Sequence, residues 1–300
     1  MSAAFDPATV RTVATGLRFP EGPIALDDGS VLFVEIERGT LCRVRPGDTG
    51  VEVVADCGGG PNGAAVGPDG KIYVCNNGGL TFTTDDTGIH YPDGLREGND
   101  GGALQRVDLD TGAVEAVFTH SGARRLGAPN DLVFDTSGAC YLTDTLYGGL
   151  LYADPLSGAI HPVEEGLELP NGIGLSPDGT RLYASETYSG RVHAWDVVGP
   201  GKLEGKTLLY SPAERPHGCD GLAVDGAGNV CVASLSASGV TVIAADGTVL
   251  TRFVTPTPDS YVTNLCFGPD GRTAYVTSSG RGILYALRWP WPGLRLNFAR

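Results

Sequence analysis

Six polar residues recur at the same place in a repeated sequence pattern, and their side chains are of the kind that binds divalent cations. The six copies of the pattern are EGPIALDDG, PNGAAVGPDG, PNDLVFDTSG, PNGIGLSPDG, CDGLAVDGAG and VTNLCFGPDG. Alignment of their turn glycines makes the following residues equivalent: Glu21, Asn62, Asn130, Asn171, Asp220 and Thr263. The set offers two carboxylates and three amide carbonyls, with no thiolate or imidazole. Such oxygen ligands are typical of a site for Ca²⁺, Mg²⁺ or Mn²⁺.

These residues begin the first strand of a repeating structural unit. The turn glycines that follow them, Gly29, Gly70, Gly138, Gly179, Gly228 and Gly271, are 41, 68, 41, 49 and 43 residues apart. Periods of about 40 to 50 residues with short strands and Asp-Gly turns are typical of β-propeller blades, each a four-stranded antiparallel sheet. No segment has a sustained apolar period of about 3.6 residues, which argues against amphipathic helices. The sequence therefore predicts an all-β, six-bladed β-propeller.

The two ends of the chain predict how the ring of blades closes. The sixth copy supplies only three strands, NLCFG, TAYVTS and GILYALR, before Trp289-Pro290-Trp291-Pro292. The N-terminal segment ATVRTVATG, residues 8–16, has the length and alternation of the missing fourth strand. We expect it to pair in the last blade, which hides the strand edges. Because blades share interfaces, residues 1–300 are predicted to form a single domain.

In a propeller, the equivalent residues of the repeat come together and form a candidate site. The innermost strands line a central tunnel, so the six equivalent residues form a ring at one mouth. Alternatively, Asn and Asp at these strand starts are ordinary turn residues that bond their own backbone. Ends of second strands and loops that lead into blades lie on the same face. We therefore predict substrate contacts for Asn62, Asn77, Arg124, Tyr147, Tyr188 and His217. His217 is either a proton shuttle or a loop histidine bonded to backbone.

The second blade carries an insertion, residues 77–100, which accounts for the spacing of 68 residues. It follows the second strand, so it emerges on the face that carries the ring. Loops of this length are usually functional or disordered. We interpret the insertion as a partial lid, with Phe82, Ile89, His90 and Tyr91 as candidate substrate contacts; a surface excursion without function is the alternative.

Composition narrows the classes of partner. The chain has 35 acidic and 21 basic residues and a formal net charge of −14, which argues against nucleic acid and anionic membranes as partners. The N-terminal sequence MSAAFDPATV lacks the basic and apolar regions of a signal peptide, and no apolar run is long enough to span a membrane. The seven cysteines include no Cys-x-x-Cys pair and are expected to be buried thiols in a reducing compartment. We therefore expect a cytoplasmic protein; its oligomeric state is not specified by the sequence.

The motifs F-P-E-G-P, P-N-D-L, L-P-N-G-I-G-L-S-P-D-G and C-D-G-L-A-V-D resemble those of the regucalcin and gluconolactonase family, and the similarity runs from about residue 10 to residue 290. This resemblance implies a six-bladed propeller that holds one divalent cation and hydrolyses lactones. It also implies that Glu21, Asn171 and Asp220 are metal ligands, with Asn130 as a fourth ligand or a pocket asparagine. Ca²⁺ is the favoured cation, and Zn²⁺, Mn²⁺, Mg²⁺ and Fe²⁺ are alternatives.

One position departs from the family pattern. Sugar-lactone hydrolases of the family commonly have an arginine two residues before the pocket asparagine, where this chain has Ala128. Arg124 and Arg125 lie slightly upstream and are candidate replacements. Specificity for aldonolactones therefore does not follow from the resemblance.

The predicted chemistry is hydrolysis of a lactone or ester. A cation in the tunnel would act as a Lewis acid on the substrate carbonyl. Asp220 is the predicted general base, and a nucleophilic Asp220 is the alternative. Asn130 and Asn77 would donate hydrogen bonds to substrate oxygens, so Asp220 and Asn130 are the predicted catalytic residues. Two other interpretations remain: another enzyme on the same site, either an ester or phosphotriester hydrolase or a strictosidine-synthase-like propeller, and a calcium-binding propeller without catalysis.

Overall fold

The computed structural model describes residues 10–48, 50–212 and 218–300. These residues form six four-stranded antiparallel sheets arranged in a ring, together with two short hairpins. They include a 3₁₀ turn at Leu235–Ala237 but no α-helix. The predicted all-β, six-bladed propeller is therefore confirmed. The part of the chain described here has no helix of the length and apolarity needed to cross a bilayer.

Blades 1 and 2 follow an N-terminal strand, β1 (Arg11–Ala14). Blade 1 contains β2 (Pro20–Ala25), β3 (Val31–Glu35), β4 (Thr40–Val44) and β5 (Glu52–Asp56). Blade 2 begins with β6 (Pro61–Val66) and β7 (Ile72–Asn76), continues through the hairpin β8 (Leu80–Thr84) and β9 (His90–Leu95), and ends with β10 (Ala103–Val107) and β11 (Val114–Phe118). The predicted insertion thus contains a regular hairpin.

The remaining blades follow a short hairpin, β12 (His120–Ser121) and β13 (Arg124–Arg125). Blade 3 contains β14 (Pro129–Phe134), β15 (Cys140–Asp144), β16 (Gly149–Asp154) and β17 (Ala159–Glu165). Blade 4 contains β18 (Pro170–Leu175), β19 (Arg181–Glu186), β20 (Val192–Gly199) and β21 (Lys202–Tyr210). Blade 5 contains β22 (Cys219–Val224), β23 (Val230–Ser234), β24 (Gly239–Ile243) and β25 (Val249–Val254). Blade 6 contains β26 (Val262–Phe267), β27 (Thr273–Ser278) and β28 (Ile283–Arg288).

The N-terminal strand completes the sixth blade, as predicted. β1 pairs antiparallel with β28, with Arg11 opposite Ala286 and Thr12 opposite Tyr285. The innermost strands of the six blades, β2, β6, β14, β18, β22 and β26, each contact the next, and β26 contacts β2. The ring is therefore closed by a blade built from both ends of the described chain.

Hydrogen bonds from hydroxyl groups of one blade hold the first residues of the inner strand in the next blade. Thr143 Oγ1 donates a hydrogen bond to the carbonyl of Asn171 at 2.5 Å, and Ser185 Oγ donates to the carbonyl of Asp220 at 2.6 Å. Ser279 Oγ donates to the carbonyl of Pro20 in the same way. Because these bonds hold ring backbone against a neighbouring blade, they fix the positions of the ring side chains.

The core lies between the blades, where large side chains such as Phe33, Tyr73, Tyr141 and Tyr183 are almost fully buried. All seven cysteines are buried and form no disulfide, as the sequence predicted. Trp289, in the C-terminal segment, is buried against Phe267 and donates a hydrogen bond to Asp225.

The C-terminal segment covers the mouth of the tunnel that lies opposite the ring. Arg295 makes two hydrogen bonds of 2.7 Å to the Asp27 carboxylate, and the Asp27 amide donates to the carbonyl of Arg300. Asn297 donates to the carbonyl of Phe134 at the end of an inner strand. An apolar cavity of about 110 Å³ lies between this segment and the ring.

Candidate active site

Glu21, Asn171 and Asp220 converge at one mouth of the tunnel, although they start three different blades. A hydrogen bond joins the Asn171 side chain to the Asp220 carboxylate, and the charge of Glu21 acts directly on Asp220. Asn171 Nδ2 also donates to Thr187 Oγ1 at 3.1 Å. Because the amide nitrogen is used in donation, the carbonyl oxygen of Asn171 is oriented as an acceptor. The Asn171 amide and the two carboxylates therefore lie together at this mouth of the tunnel.

Glu21 is held in this position by a set of donors. Its Oε2 accepts hydrogen bonds from the Gly22 amide at 2.8 Å and from Asn264 Nδ2 at 3.0 Å. The Thr263 side chain supplies a further hydrogen bond. Thr263, the uncharged member of the ring, thus supports Glu21 from the neighbouring blade.

The carboxylates of the tunnel are costly to ionise. Burial raises the pKa of Asp220 well above its usual range, and the nearby charge of Glu21 raises it further. Burial also raises the pKa of Glu21, although its hydrogen bonds oppose this shift. Two buried like charges repel each other unless a proton or a cation lies with them.

Asp131 is a third carboxylate in the tunnel, and the sequence analysis missed it. Burial first, and then the charge of Glu21, raises the pKa of Asp131 to about 8. A side-chain hydrogen bond links it to Asn264, which also bonds Glu21. Asp131 and Asn264 therefore form a second polar layer behind the ring.

A β-bulge explains why residues adjacent to the ring also face the tunnel. Each inner strand has a register irregularity at or next to its ring residue. A bulge breaks strict alternation and redirects a side chain. The positions after the ring residues are Gly22, Gly63, Asp131, Gly172, Gly221 and Asn264. A Cβ on Gly63 would lie 2.3 Å from Asp131 Oδ1, so glycine leaves the space that this carboxylate occupies.

Asn62 and Asn130 complete the amide part of the ring. Asn62 is buried and Asn130 is half-buried. Neither side chain has a hydrogen-bond partner among residues 10–48, 50–212 and 218–300. Both amides are therefore able to bond a ligand oxygen in the mouth of the tunnel.

The donor set fits a hard divalent cation. Glu21 and Asp220 would supply carboxylate oxygens and Asn171 an amide oxygen, and hydrogen bonds with Asn264, Thr263 and Thr187 hold Glu21 and Asn171 in place. Calcium and magnesium prefer such oxygen ligands. Ligands that are themselves held by hydrogen bonds are the usual arrangement of metal sites in proteins.

The predicted substrate-binding residues differ in their burial and in their contacts. Asn77 is buried, and its Oδ1 accepts a hydrogen bond from the Gly79 amide in its own turn. The Arg124 guanidinium lies 3.6 Å from the centroid of the Tyr147 ring and pairs with Glu165 on the outer strand β17. Tyr188 is 71% exposed. His217 lies outside the described residues.

The ends of the second strands position the loops that lead into the inner strands. Side chains there accept hydrogen bonds from backbone amides two or three residues before the ring. The pairs of acceptor and donor are Glu35 with Arg18, Asn76 with Gly60, Asp144 with Ala128, and Glu186 with Glu168. These polar side chains therefore support the backbone that leads into the ring.

The β8–β9 hairpin extends from blade 2 over blade 1 to blade 6. The His90 amide donates to the carbonyl of Gly280 at 2.9 Å, and Arg281 Nη1 donates to the carbonyl of Thr87 at 2.7 Å. The His90 ring lies 3.1 Å from the Glu37 carboxylate of blade 1. The hairpin is thus anchored to blades 1 and 6, of which blade 1 carries Glu21.

Comparison with protein families gives one match that covers most of the chain. Residues 19–280 match the family described as the SMP-30/Gluconolactonase/LRE-like region. This range contains all six ring residues.

Curated proteins with similar sequences include two bacterial or archaeal lactonases. A gluconolactonase of Zymomonas mobilis is 27% identical, with 93% of this chain and 82% of that protein covered. A pentonolactonase of Haloferax volcanii is 31% identical, with 90% of this chain and 84% of that protein covered.

Solved structures share the fold at lower sequence identity. A gluconolactonase of Xanthomonas campestris has a TM-score of 0.76 and 23% identity, with 94% of this chain and 89% of that chain covered. A calcium-binding regucalcin of Agrobacterium tumefaciens has a TM-score of 0.71 and 20% identity, with 97% and 98% covered.

Proposed function

Because the chain belongs to the SMP-30/gluconolactonase/LRE-like family, we propose that it is a divalent-metal-dependent hydrolase that opens a lactone to a hydroxy acid. The names of its relatives support this class of substrate, since both the gluconolactonase of Zymomonas mobilis and the pentonolactonase of Haloferax volcanii are lactonases. We further propose Ca²⁺ as the favoured cation, with Zn²⁺, Mn²⁺, Mg²⁺ and Fe²⁺ as alternatives.

The observation that carries the proposal is the convergence of Glu21 and Asp220 with the Asn171 amide. Among the described residues, the groups that chiefly shift the pKa values of Glu21 and Asp220 include no Lys or Arg side chain. A buried pair of carboxylates without a basic partner is expensive to maintain. A bound cation offsets this cost, and when bound it supplies Lewis acidity toward the substrate carbonyl.

The chain's own residues would perform the remaining steps. Asp220 takes a proton from a water molecule, and the water oxygen attacks the carbonyl carbon of the lactone. The ring C–O bond then breaks, and Asp220 returns the proton to the departing oxygen. Asn62 and Asn130, whose amides have no partner within the described parts of the chain, would donate hydrogen bonds to substrate oxygens. The β8–β9 hairpin would limit access of bulk water at the side of Glu21.

Proton release by metal-stripped protein tests this function directly. The protein is assayed against sugar and aliphatic γ- and δ-lactones, before and after addition of each divalent cation. We expect no turnover without metal and recovery with one or more cations. A Glu21→Gln variant should need more cation for recovery, whereas Asn297→Ala, altered in the C-terminal segment, should match the parent. Turnover that persists after complete chelation would contradict metal dependence, and absence of turnover on every lactone would contradict the proposed reaction.

A further inference from the structure

The positions two residues before the ring form an apolar collar above it. By the repeat, these positions are Phe19, Gly60, Ala128, Leu169, Gly218 and Tyr261. None of the six residues carries a charge, and only the hydroxyl of Tyr261 is polar. The residues that immediately precede the ring in the sequence are therefore largely apolar.

Aromatic residues of the β8–β9 hairpin extend this collar into a wall. The ring of Phe82 lies 5.2 Å from that of Phe19, and the ring of Tyr91 lies parallel to that of Tyr261 at 5.8 Å. Phe19 and Tyr261 contact each other edge to face at 5.8 Å. We call Phe19, Phe82, Tyr91 and Tyr261 the aromatic wall. Phe82, Tyr91 and Tyr261 are only half-buried, so part of the wall faces outward.

The aromatic wall adjoins the candidate site through the backbone. Phe19 is two residues before Glu21, and Tyr261 is two residues before Thr263, whose side chain bonds Glu21. The hairpin that contributes the other two rings is anchored to blades 1 and 6 through His90. The wall is therefore held in place beside Glu21.

Backbone strain marks two positions of the collar. Phe19 has φ of 56° and Leu169 has φ of 52°, in the left-handed region that glycine adopts at lower cost. Gly218 occupies the equivalent position of blade 5 with φ of 70°. Phe19 and Leu169 thus place bulky apolar side chains where the backbone conformation favours glycine. Backbone strain of this kind is concentrated at functional sites.

We propose that the preferred substrates are lactones with an alkyl or aryl substituent, whose apolar part lies against the aromatic wall while the ring carbonyl faces Glu21 and Asp220. This inference rests on the proposed lactonase function and narrows its substrate class. Sugar lactones would place several hydroxyl groups against the wall, where few polar groups meet them. Burying a hydroxyl group without a hydrogen bond is unfavourable. The absence of an arginine at Ala128 removes one donor that such hydroxyls could use.

A homologous series of δ-lactones tests the inference. We compare kcat/KM for δ-valerolactone, its derivatives with progressively longer alkyl chains, and glucono-δ-lactone. Each methylene that becomes buried should raise kcat/KM about threefold to fourfold until the wall is covered. A preference for glucono-δ-lactone over the alkyl lactones would overturn the inference but leave the lactonase function intact.

Two variants connect the chain-length effect to the wall. Phe82→Ala and Tyr91→Ala should flatten the dependence of kcat/KM on chain length, with a smaller change for δ-valerolactone. Leu95→Ala is the matched control, because Leu95 is an exposed apolar residue of the same hairpin outside the wall. An unchanged dependence in both wall variants, or an equal loss in the control, would overturn the inference.

Binding of unreactive analogues separates substrate class from catalysis. Calorimetry with metal-loaded protein compares a δ-lactam that carries a pentyl chain with the δ-lactam of gluconic acid. We expect the pentyl lactam to bind at least tenfold more tightly, and Phe82→Ala to reduce this ratio. Equal or inverted affinities would overturn the inference whether or not any lactone is hydrolysed, whereas the failure of turnover alone would count against the proposed reaction.

Discussion

Asn264 Nδ2 lies 3.0 Å from Glu21 Oε2 and donates a hydrogen bond to it across the boundary between blades 6 and 1. The same amide group bonds the carboxylate of Asp131 in the second polar layer. One side chain therefore orients a proposed cation ligand and connects it to a buried acid that is not part of the ring.

Replacement of Asn264 should weaken cation binding. In Asn264→Ala, Glu21 loses a donor that fixes its orientation, and the Asp131 carboxylate loses a partner as well. Removal of a residue that orients a metal ligand typically costs 10-fold to 100-fold in affinity. We expect a loss of about this size in a chelator-competition titration. Asn297→Ala, which also removes an amide hydrogen bond, here a partly buried one in the C-terminal segment, is the control; equal affinity in both variants would contradict the role of Asn264.

The stability of the metal-free protein should fall as pH rises from about 4 to about 8. The pKa of Asp131, about 8, lies above the value of about 4 expected in the unfolded chain, so the native state binds more protons between these pH values. The contribution of Asp131 to stability is therefore fully present below about pH 4 and is lost up to about pH 8, at no more than ~1.4 kcal/mol per pH unit for one carboxyl group. The raised pKa values of Glu21 and Asp220 act in the same direction.

Urea unfolding of chelated protein across this pH range measures the effect. Asp131→Asn should reduce the slope, since it removes the titrating group while preserving its shape. Added Ca²⁺ should oppose the loss at high pH, because a cation stabilises the ionised carboxylates. A stability that rises with pH between about 4 and 8 in chelated protein would be inconsistent with these buried acids.

The convergence of Glu21, Asn171 and Asp220 was predictable because propeller symmetry places equivalent residues of a repeat on one ring. The same reasoning predicted closure by β1, since turn glycines and strand alternation are local signals. It failed for Asp131 and Asn264, because alternation along a strand turns such neighbours away from the axis. The bulges override alternation, and the one available signal was glycine at the equivalent position of the other four copies.

Arg124 illustrates a different limit. Strand direction correctly assigns its hairpin to the loops that lead into blade 3, but a long side chain selects its partner by tertiary contacts. Here it stacks on Tyr147 and pairs with Glu165, away from the ring carboxylates. A backbone position can be read from a repeat, whereas the direction of a flexible side chain cannot.

Asp220→Asn should separate proton transfer from assembly of the site. The amide retains the shape of the side chain and can accept or donate a hydrogen bond beside Asn171, but it is not a base. We expect kcat to fall by about 10²-fold to 10⁴-fold, the range associated with loss of a general base. The measurement is made at saturating cation, so that weaker metal binding does not limit the rate. Turnover like that of the parent would contradict the assignment of Asp220.

Ala128→Arg should shift selectivity toward sugar lactones. The guanidinium would introduce a charged donor into the apolar collar, and a hydrogen bond to a charged group contributes about 1.5 to 3 kcal/mol. We expect kcat/KM for glucono-δ-lactone to rise about tenfold and that for alkyl lactones to fall. Ala128→Met is the control, since it adds a side chain of similar length without charge or donors. The same change of selectivity in the methionine variant would show that bulk at this position, and not hydrogen bonding to hydroxyl groups, determines the choice of substrate.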